Sequence, residues 1–125
     1  MHDTDAAGII FFTSQLRMAH EAFESFLDSV GLGLGTIMAT RDYRIPIVRA
    51  ESDYRAPMRL GDDLTVQVMI EKAGRTSFSL RFRFLDSAGR EIGSVRTVQV
   101  AVDASTWRKR LLPDELRQAL STHLG

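Results

Sequence analysis

Apolar residues near the start of the chain recur at the spacing of one helical face. Its residues lie three or four positions apart, and three further residues widen it: Leu16, Ala19, Phe23, Phe26 and Val30, with Met18, Ala22 and Leu27. A helix that is apolar over so much of its circumference is expected to be wrapped by other structure. Thr13 or Ser14 is expected to cap the start of this helix, and Gly31 and Gly33 to end it.

Further along the chain, apolar positions alternate with polar ones, which is typical of half-buried strands. The alternating segments are 64–70, 78–84 and 92–102. Short connections at 72–75 and 86–90 join these segments and therefore predict antiparallel hairpins. An extended stretch from Ile45 to Met58 precedes them, with Pro46 and Pro57 marking its ends.

After the last strand, Pro113 and the acidic pair that follows it are expected to open a short C-terminal helix. The glycine-rich segment Gly31–Gly35 is expected to be a loop, because it lacks the preceding strand and the following Lys-Ser/Thr of a phosphate-binding motif. The chain is therefore predicted to be one α+β domain over residues 1–125, with a helix, four antiparallel strands and a short helix. An edge strand before the first helix would be natural, so we expect that the N-terminal strand is truncated.

Composition narrows the class of protein. The 125 residues are 44% hydrophobic and 26% charged, as in an ordinary globular domain. Sixteen basic and sixteen acidic residues cancel, which argues against a general attraction to nucleic acid or to an anionic membrane. The absence of cysteine excludes disulfides, thiolate zinc sites and a cysteine nucleophile. With neither a long apolar run nor a leader pattern, we expect a cytoplasmic protein.

The candidate chemistry lies in the segment before the predicted helix, where Asp3 and Asp5 flank a threonine. One interpretation, the commoner for this spacing alone, is a solvated turn in which each carboxylate bonds its own backbone. Alternatively, the unpaired amides at a helix start suit an oxyanion, and Asp5 beside them could be a nucleophile or general base for acyl transfer. A metal site is the weaker hypothesis, because His2 and two carboxylates provide few ligands.

The same segment, Asp3-Thr-Asp5-Ala-Ala-Gly8-Ile-Ile-Phe11, resembles the active-site motif of the 4-hydroxybenzoyl-CoA thioesterase branch of hotdog-fold proteins. The resemblance continues through the helix and at three later places, so that it covers nearly the whole chain: 18–26, 45–48, 53–57 and 60–64. Within the branch, the local sequences at 11–12, 20–25 and 45–50 are most similar to the cyanobacterial 1,4-dihydroxy-2-naphthoyl-CoA thioesterases of phylloquinone synthesis.

The resemblance implies a hotdog fold, in which an antiparallel sheet wraps a long central helix and a short C-terminal helix follows. It implies that Asp5 is the catalytic carboxylate, that the backbone amide of Phe12 at the helix start donates to the oxyanion, and that Gly8 contacts the substrate. The implied assembly is a homodimer or homotetramer that hydrolyses an aromatic acyl-CoA. No cofactor and no metal are implied, because coenzyme A is part of the substrate.

Cations and hydroxyls in loops are the groups expected to bind the phosphates of coenzyme A. The candidates are Arg75, Thr76 and Ser77 in one loop and Arg108, Lys109 and Arg110 after the last strand. A solvated basic run is an equally good interpretation of the second group. His20, beside the apolar face, is expected to be a core or interface histidine rather than a catalytic one.

Two other functions stay open at this stage. The first is a thioesterase acting on short-chain, medium-chain or 4-hydroxybenzoyl-type acyl-CoA, and the second is a hotdog domain that binds an acyl or aromatic ligand without turnover.

Overall fold

The structure, a computed structural model, describes residues 3–56 and 63–122, with side chains described from residue 14 onward. These residues form three helices: α1 (Asp3–Ser29), α2 (Leu34–Thr40) and α3 (Asp114–Thr122). They also form six strands: β1 (Tyr43–Arg44), β2 (Ile47–Tyr54), β3 (Thr65–Ala73), β4 (Ser77–Leu85), β5 (Glu91–Val100) and β6 (Val102–Asp103). The predicted α+β class is confirmed, while the predicted end of the extended stretch, at Pro57 and Met58, lies outside the described residues.

The main sheet has four antiparallel strands in the order β2–β5–β4–β3. The prediction of four antiparallel strands is therefore confirmed, but a meander order holds only for β3, β4 and β5. β2 pairs with β5, so the chain crosses from one edge of the sheet to the other before β3 begins. A second, two-stranded sheet pairs β1 with β6; its strands are too short to show any alternation in sequence.

The inner face of the sheet is formed by apolar side chains at every second position of the strands. Four alternate residues of β4 are almost completely buried in the core that the sheet shares with α1: Phe78, Leu80, Phe82 and Phe84. Among the described side chains of α1, from residue 14 onward, the buried apolar residues are Ala19, Phe23 and Leu27, which are spaced by four and so form a single line. Leu16 was predicted to belong to this buried face, but half of it is exposed, because it lies where α1 passes the edge of the sheet.

The start of α1 differs from the prediction. The helix begins at Asp3, so Thr13 and Ser14 lie inside it and do not cap it. Acidic residues in a first turn interact favourably with the helix dipole, and a single glycine inside a helix costs only about 1 kcal/mol. These features let helical structure continue back through Gly8 and the apolar residues that follow it.

The end of α1 is the predicted glycine stop. The Leu32 amide donates to Leu27 O at 2.8 Å and the Gly31 amide to Asp28 O at 3.1 Å. Gly31 has a φ of +78°, so these bonds form a Schellman motif in which only glycine is free of backbone strain. Gly33 is the residue before α2 rather than part of this stop, and Gly35 lies within α2, so the prediction of a loop over Gly31–Gly35 is wrong in its second half.

A cluster of three side chains fixes α3 to the segment between α2 and β1. Arg41 binds Glu115 with two hydrogen bonds, from Nε at 2.7 Å and from Nη2 at 3.1 Å. The buried Tyr43 donates its hydroxyl proton to the same carboxylate at 2.8 Å. Burial and the adjacent Glu115 carboxylate raise the pKa of Tyr43 above its usual value, so the phenol remains a neutral donor.

This cluster predicts an acid-sensitive contribution to stability. The hydrogen bonds from Arg41 and then Tyr43 hold the pKa of Glu115 below its ordinary value of 4.5. A carboxyl of this kind stabilises the fold above its unfolded pKa, and the stabilisation is lost as the pH falls through the folded value. In urea denaturation, we expect Glu115→Gln to lower the midpoint at pH 7, and the difference from the parent to shrink progressively as the pH falls below 4.5 and through the lowered pKa of Glu115.

The matched control for this prediction is Glu21→Gln, which removes an exposed pair with Arg17 on α1. Its urea midpoint should stay close to the parent value at every pH, because exposed pairs contribute little. A Glu115→Gln difference that is constant from pH 7 to about pH 3 would contradict the prediction.

Candidate functional site

An apolar cleft of about 180 Å³ opens between α1 and the β2 edge of the sheet, and we call it the α1–β2 cleft. Its wall is formed by residues from α1, β2, β4 and β5: Leu16, Ala19, His20, Phe23, Ile47, Ala50, Phe82, Thr97 and Gln99. A cavity of about 150 Å³ with apolar walls is enough to bind benzene. The cleft can therefore receive an aromatic ring, with any further part of a ligand reaching toward the opening.

Three polar side chains interrupt this apolar wall. Gln99 is fully buried, and its Nε2 donates to Thr97 Oγ1 at 2.8 Å. Among the described residues, Gln99 Oε1 has no hydrogen-bond partner. His20 contributes from α1, where its Nε2 lies 2.9 Å from Glu24 Oε1 and nearly half of its side chain is exposed. His20 is therefore not a core residue, and its expected place in an interface between subunits stays a prediction.

Gln15 connects α1 to the sheet beside this cleft. It is fully buried, and its Nε2 donates to Ser52 Oγ at 2.6 Å and to Asp53 O at 3.0 Å. Its Oε1 lies directly over Gly93, where any Cβ would collide with it. Sequence reasoning missed both Gln15 and Gln99, because a glutamine beside an apolar pattern looks like an ordinary solvated residue.

The residues of the Asp-x-Asp motif all lie in the first half of α1. The side chains of Asp3 and Asp5 lie outside the described part, so their predicted contacts stay predictions, as does the predicted substrate contact of Gly8. Asp5 precedes Gln15 by ten residues, which corresponds to about 15 Å along a helix axis.

The predicted position of Phe12 at a helix start is wrong. Phe12 lies well inside α1, nine residues after Asp3, where a regular helix pairs each backbone amide with the carbonyl four residues earlier. The unpaired donors of α1 belong instead to its first turn, which contains Asp5.

The structure brings together the two loops predicted to bind phosphate. The Leu112 amide donates to Arg75 O at 2.9 Å, so the hairpin at 74–76 lies against the segment after β6. The side chains of Arg75, Arg108 and Lys109 are exposed, and no ion pair is found for them within 14–56 and 63–122. Thr76 and Ser77 are half-buried in the same hairpin.

Arg110 differs from the other cations of its run. Its Nη1 lies 3.1 Å from Asp42 Oδ1, and its guanidinium lies 5.6 Å from the centre of the Tyr43 ring. These two contacts give Arg110 a structural function at the β1–β6 sheet and leave Arg108 and Lys109 as the cations free to meet a ligand.

The loop that carries Arg108 is held in shape by Asp103. Its Oδ1 accepts from the amides of Ser105 at 2.8 Å and Thr106 at 2.9 Å, and these bonds lower the pKa of Asp103. The next residue, Trp107, has a φ of +58° and is 59% exposed. Since the chain has a single tryptophan, its fluorescence reports directly on this loop.

The outer face of the sheet is polar and ion-paired. Glu91 Oε2 lies 3.0 Å from Arg55 Nη1, and its Oε1 lies 2.8 Å from Arg83 Nε and 3.6 Å from Arg81 Nη2. Arg81 and Arg83 therefore belong to a polar, ion-paired face. This face is unsuited to an apolar ligand, so the α1–β2 cleft is the better candidate.

The described residues contain no group of three metal-ligating side chains, and the side chains of the predicted candidates His2, Asp3 and Asp5 lie outside this part of the chain. No helix within the described ranges could span a membrane.

The similarity of this chain to known proteins agrees with the fold described above. The profile of the thioesterase-like superfamily matches residues 1–120. A protein of Trichodesmium erythraeum named 1,4-dihydroxy-2-naphthoyl-CoA hydrolase is 32% identical over 120 residues, covering 94% of this chain and 87% of that protein. A protein of Nostoc punctiforme with the same name is 34% identical over 121 residues, covering 97% of this chain and 81% of the relative.

Solved structures show the same fold. A 1,4-dihydroxy-2-naphthoyl-CoA thioesterase from Synechocystis aligns with a TM-score of 0.83 and 32% identity, covering 95% of this chain and 88% of that chain. A gentisyl-coenzyme A thioesterase aligns with a TM-score of 0.77 and 28% identity, covering 95% and 92%. The predicted hotdog fold is confirmed, and the chain belongs to the thioesterase-like superfamily.

Proposed function

We propose that this protein hydrolyses an aromatic acyl-CoA thioester, with 1,4-dihydroxy-2-naphthoyl-CoA as the substrate. The observation that carries the proposal is the α1–β2 cleft, which is apolar, of a size for an aromatic ring, and lined by two phenylalanines. The names of the two cyanobacterial relatives and of the Synechocystis structure support the same acyl group.

Asp5 is the proposed catalytic carboxylate. As a nucleophile it attacks the thioester carbonyl, forms an acyl anhydride and releases the coenzyme A thiolate, after which water hydrolyses the anhydride. As a general base it takes a proton from the water that attacks the same carbonyl. Both routes consume one water, yield a carboxylic acid and a thiol, and need no cofactor.

The developing oxyanion needs a backbone amide that is free of helix hydrogen bonding. The first turn of α1 provides such amides in this structure. The amide of Phe12 can act as this donor only when α1 begins close to that residue, so its proposed role requires the segment from Asp3 to Thr13 not to be helical in the active enzyme.

The nucleotide end of coenzyme A is proposed to lie against Arg75, Arg108 and Lys109, with Thr76 and Ser77 beside them. β5 leads from Gln99 in the cleft to the β6 loop, and Gln99 and Asp103 are at most about 13 Å apart along extended chain. The exposed cations therefore lie at the end of the molecule next to the cleft, where a pantetheine arm would emerge.

This placement predicts a binding effect from each arginine. Arg75→Ala and Arg108→Ala should each raise KM for the CoA thioester several-fold with kcat nearly unchanged, because a phosphate contact remote from the carbonyl contributes uniform binding. The effect should decrease as salt rises. Thiol release is measured for the CoA thioester and for a truncated pantetheine thioester, which lacks the nucleotide.

The control variant is Arg90→Ala, in the other hairpin, where the arginine pairs with Asp86 at 3.2 Å. It should leave both KM values unchanged. An equal increase in KM on the truncated thioester would assign Arg75 and Arg108 to structure or to the acyl cleft instead of to the phosphates.

A homodimer, alone or doubled to a homotetramer, is the proposed assembly. β2 is an edge strand of the described sheet and carries two exposed apolar residues, Ile47 and Val48. An unpaired edge of this kind invites pairing with a second copy through a two-fold axis. Since β2 also forms one wall of the cleft, the partner subunit would help to close it.

A substrate panel tests the proposed function as a whole. Thiol release should be fastest with 1,4-dihydroxy-2-naphthoyl-CoA and slower with 4-hydroxybenzoyl-CoA and with short or medium acyl chains. Faster release from an aliphatic chain would support the broader thioesterase instead. Binding of the aromatic acid without release from any thioester would support a ligand-binding domain.

A further inference from the structure

Gln99 places an unpaired hydrogen-bond acceptor at the wall of the α1–β2 cleft. Its side chain is fully buried, and Oε1 has no partner in the described part of the chain. Buried polar atoms in native proteins are almost always paired, so an orphan oxygen that lines a cleft indicates a group supplied by a ligand.

The neighbours of Gln99 fix which ligand group is needed. Its Nε2 is already bound to Thr97 Oγ1 at 2.8 Å, so the oxygen is the part of the amide that is left without a partner. On either side, Gln99 is paired across the sheet with the apolar residues Ile47 and Phe78. A ligand that satisfies Oε1 must therefore combine an apolar ring with a hydrogen-bond donor.

In the described part of the chain, two other buried side-chain oxygens are also unpaired, on Gln15 and Ser79. Neither residue lines the cleft. Gln15 Oε1 is covered by Gly93, and Ser79 lies on the outer face of the sheet beside Lys72 and Val98. Gln99 is thus the residue whose free oxygen can meet a group bound in the cleft.

We propose that Gln99 Oε1 accepts a hydrogen bond from a ring hydroxyl of the acyl group and thereby selects hydroxylated aromatic substrates; this inference rests on the proposed function. In 1,4-dihydroxy-2-naphthoyl-CoA, the 1-hydroxyl neighbours the thioester carbonyl and can bond to it internally. The 4-hydroxyl is the free donor. A gentisyl group, named for one structural relative, has the same pair of hydroxyls para to each other.

The test compares two substrates that differ by one hydroxyl, 1,4-dihydroxy-2-naphthoyl-CoA and 1-hydroxy-2-naphthoyl-CoA. The parent protein should prefer the first by roughly tenfold or more in kcat/KM, because the second leaves Oε1 unpaired. A 4-methoxy analogue, which has an acceptor in place of the donor, should be as poor as the 1-hydroxy compound.

Gln99→Leu replaces the amide by an apolar group of similar size. The ratio of kcat/KM for the dihydroxy substrate to kcat/KM for the 1-hydroxy substrate should therefore fall to within about threefold of one. The matched control is Ser79→Ala, which removes another orphan oxygen on the opposite face and should leave the preference unchanged.

Calorimetric binding of the two free acids, 1,4-dihydroxy-2-naphthoate and 1-hydroxy-2-naphthoate, separates this inference from the proposed activity. If neither thioester is hydrolysed but the dihydroxy acid binds more tightly, and Gln99→Leu removes that difference, Gln99 is supported while the hydrolase proposal fails. Equal kcat/KM and equal affinity in the parent protein would overturn the inference, even if Gln99→Leu did not fold.

Discussion

Asp5→Asn is expected to reduce kcat for 1,4-dihydroxy-2-naphthoyl-CoA by about a thousandfold or more. The asparagine amide has nearly the shape of the carboxylate, but it can neither attack a carbonyl nor accept a proton from water at neutral pH. KM and the circular dichroism spectrum should change little, because the substitution removes charge without removing volume. Thiol release under saturating substrate measures the effect directly.

Asp3→Asn is the matched control, since it removes a carboxylate two residues earlier in the same motif. The resemblance gives Asp3 only a supporting part, so its kcat should fall much less. Near-parental turnover by Asp5→Asn would show that Asp5 is not the catalytic carboxylate. Equal losses in both variants would instead indicate an effect of net charge at the start of α1.

A single turnover in heavy-oxygen water separates the two roles of Asp5. When Asp5 is the nucleophile, water can open the anhydride at the protein carbonyl, and the label then appears in the peptide that contains Asp5. When Asp5 is a general base, the label appears only in the released acid. Mass spectrometry that finds label in the Asp5 peptide would establish the nucleophile, whereas label only in the acid is expected both for the general base and for an anhydride opened at its acyl carbonyl.

The regular part of the fold could be predicted from the sequence because burial imposes its period on the chain. The alternation at 78–84 predicted β4, whose apolar side chains are buried in the structure. Gly31 predicted the end of α1, because the Schellman motif needs a positive φ that glycine adopts without strain. The C-terminal helix also follows from local rules, with acidic residues in its first turn.

The features that were missed depend on contacts distant in the chain. β1 and β6 have only two residues each, and their pairing depends on the packing of the segments around them. β2 lies beside β5 because of tertiary packing, and no hairpin pattern in the sequence predicts this pairing. The start of α1 was placed too late because Thr13 and Ser14 are residue types that cap helices but that are also tolerated inside them.

The candidate site likewise has one part that could be predicted from the sequence and one part that could not. The motif around Asp5 could be recognised because its residues are consecutive. The α1–β2 cleft could not, because it combines residues from four elements, among them Ala50, Phe82 and Gln99. A glutamine becomes informative only when the structure shows that it is buried and that one of its oxygens is unpaired.

Val48→Asp is expected to dissociate the assembly. Val48 is 58% exposed on the edge strand β2 and does not line the cleft, so the substitution should leave both the fold of one chain and the cleft wall intact. In a dimer paired through β2, however, it would place two uncompensated carboxylates in the interface, which costs several kcal/mol. We expect the dissociation constant of the dimer to rise by roughly a hundredfold or more.

Light scattering should give the parent protein at least twice the chain mass of 14.0 kDa, and Val48→Asp a mass approaching that of one chain at the same concentration. Thiol release per chain should fall in parallel and recover at high protein concentration, because the partner subunit helps to close the cleft beside β2. Met38→Asp is the control, since Met38 is 65% exposed on α2, away from the strand edge. A Val48→Asp monomer with parental activity would show that each cleft works alone, and an unchanged mass would place the interface elsewhere.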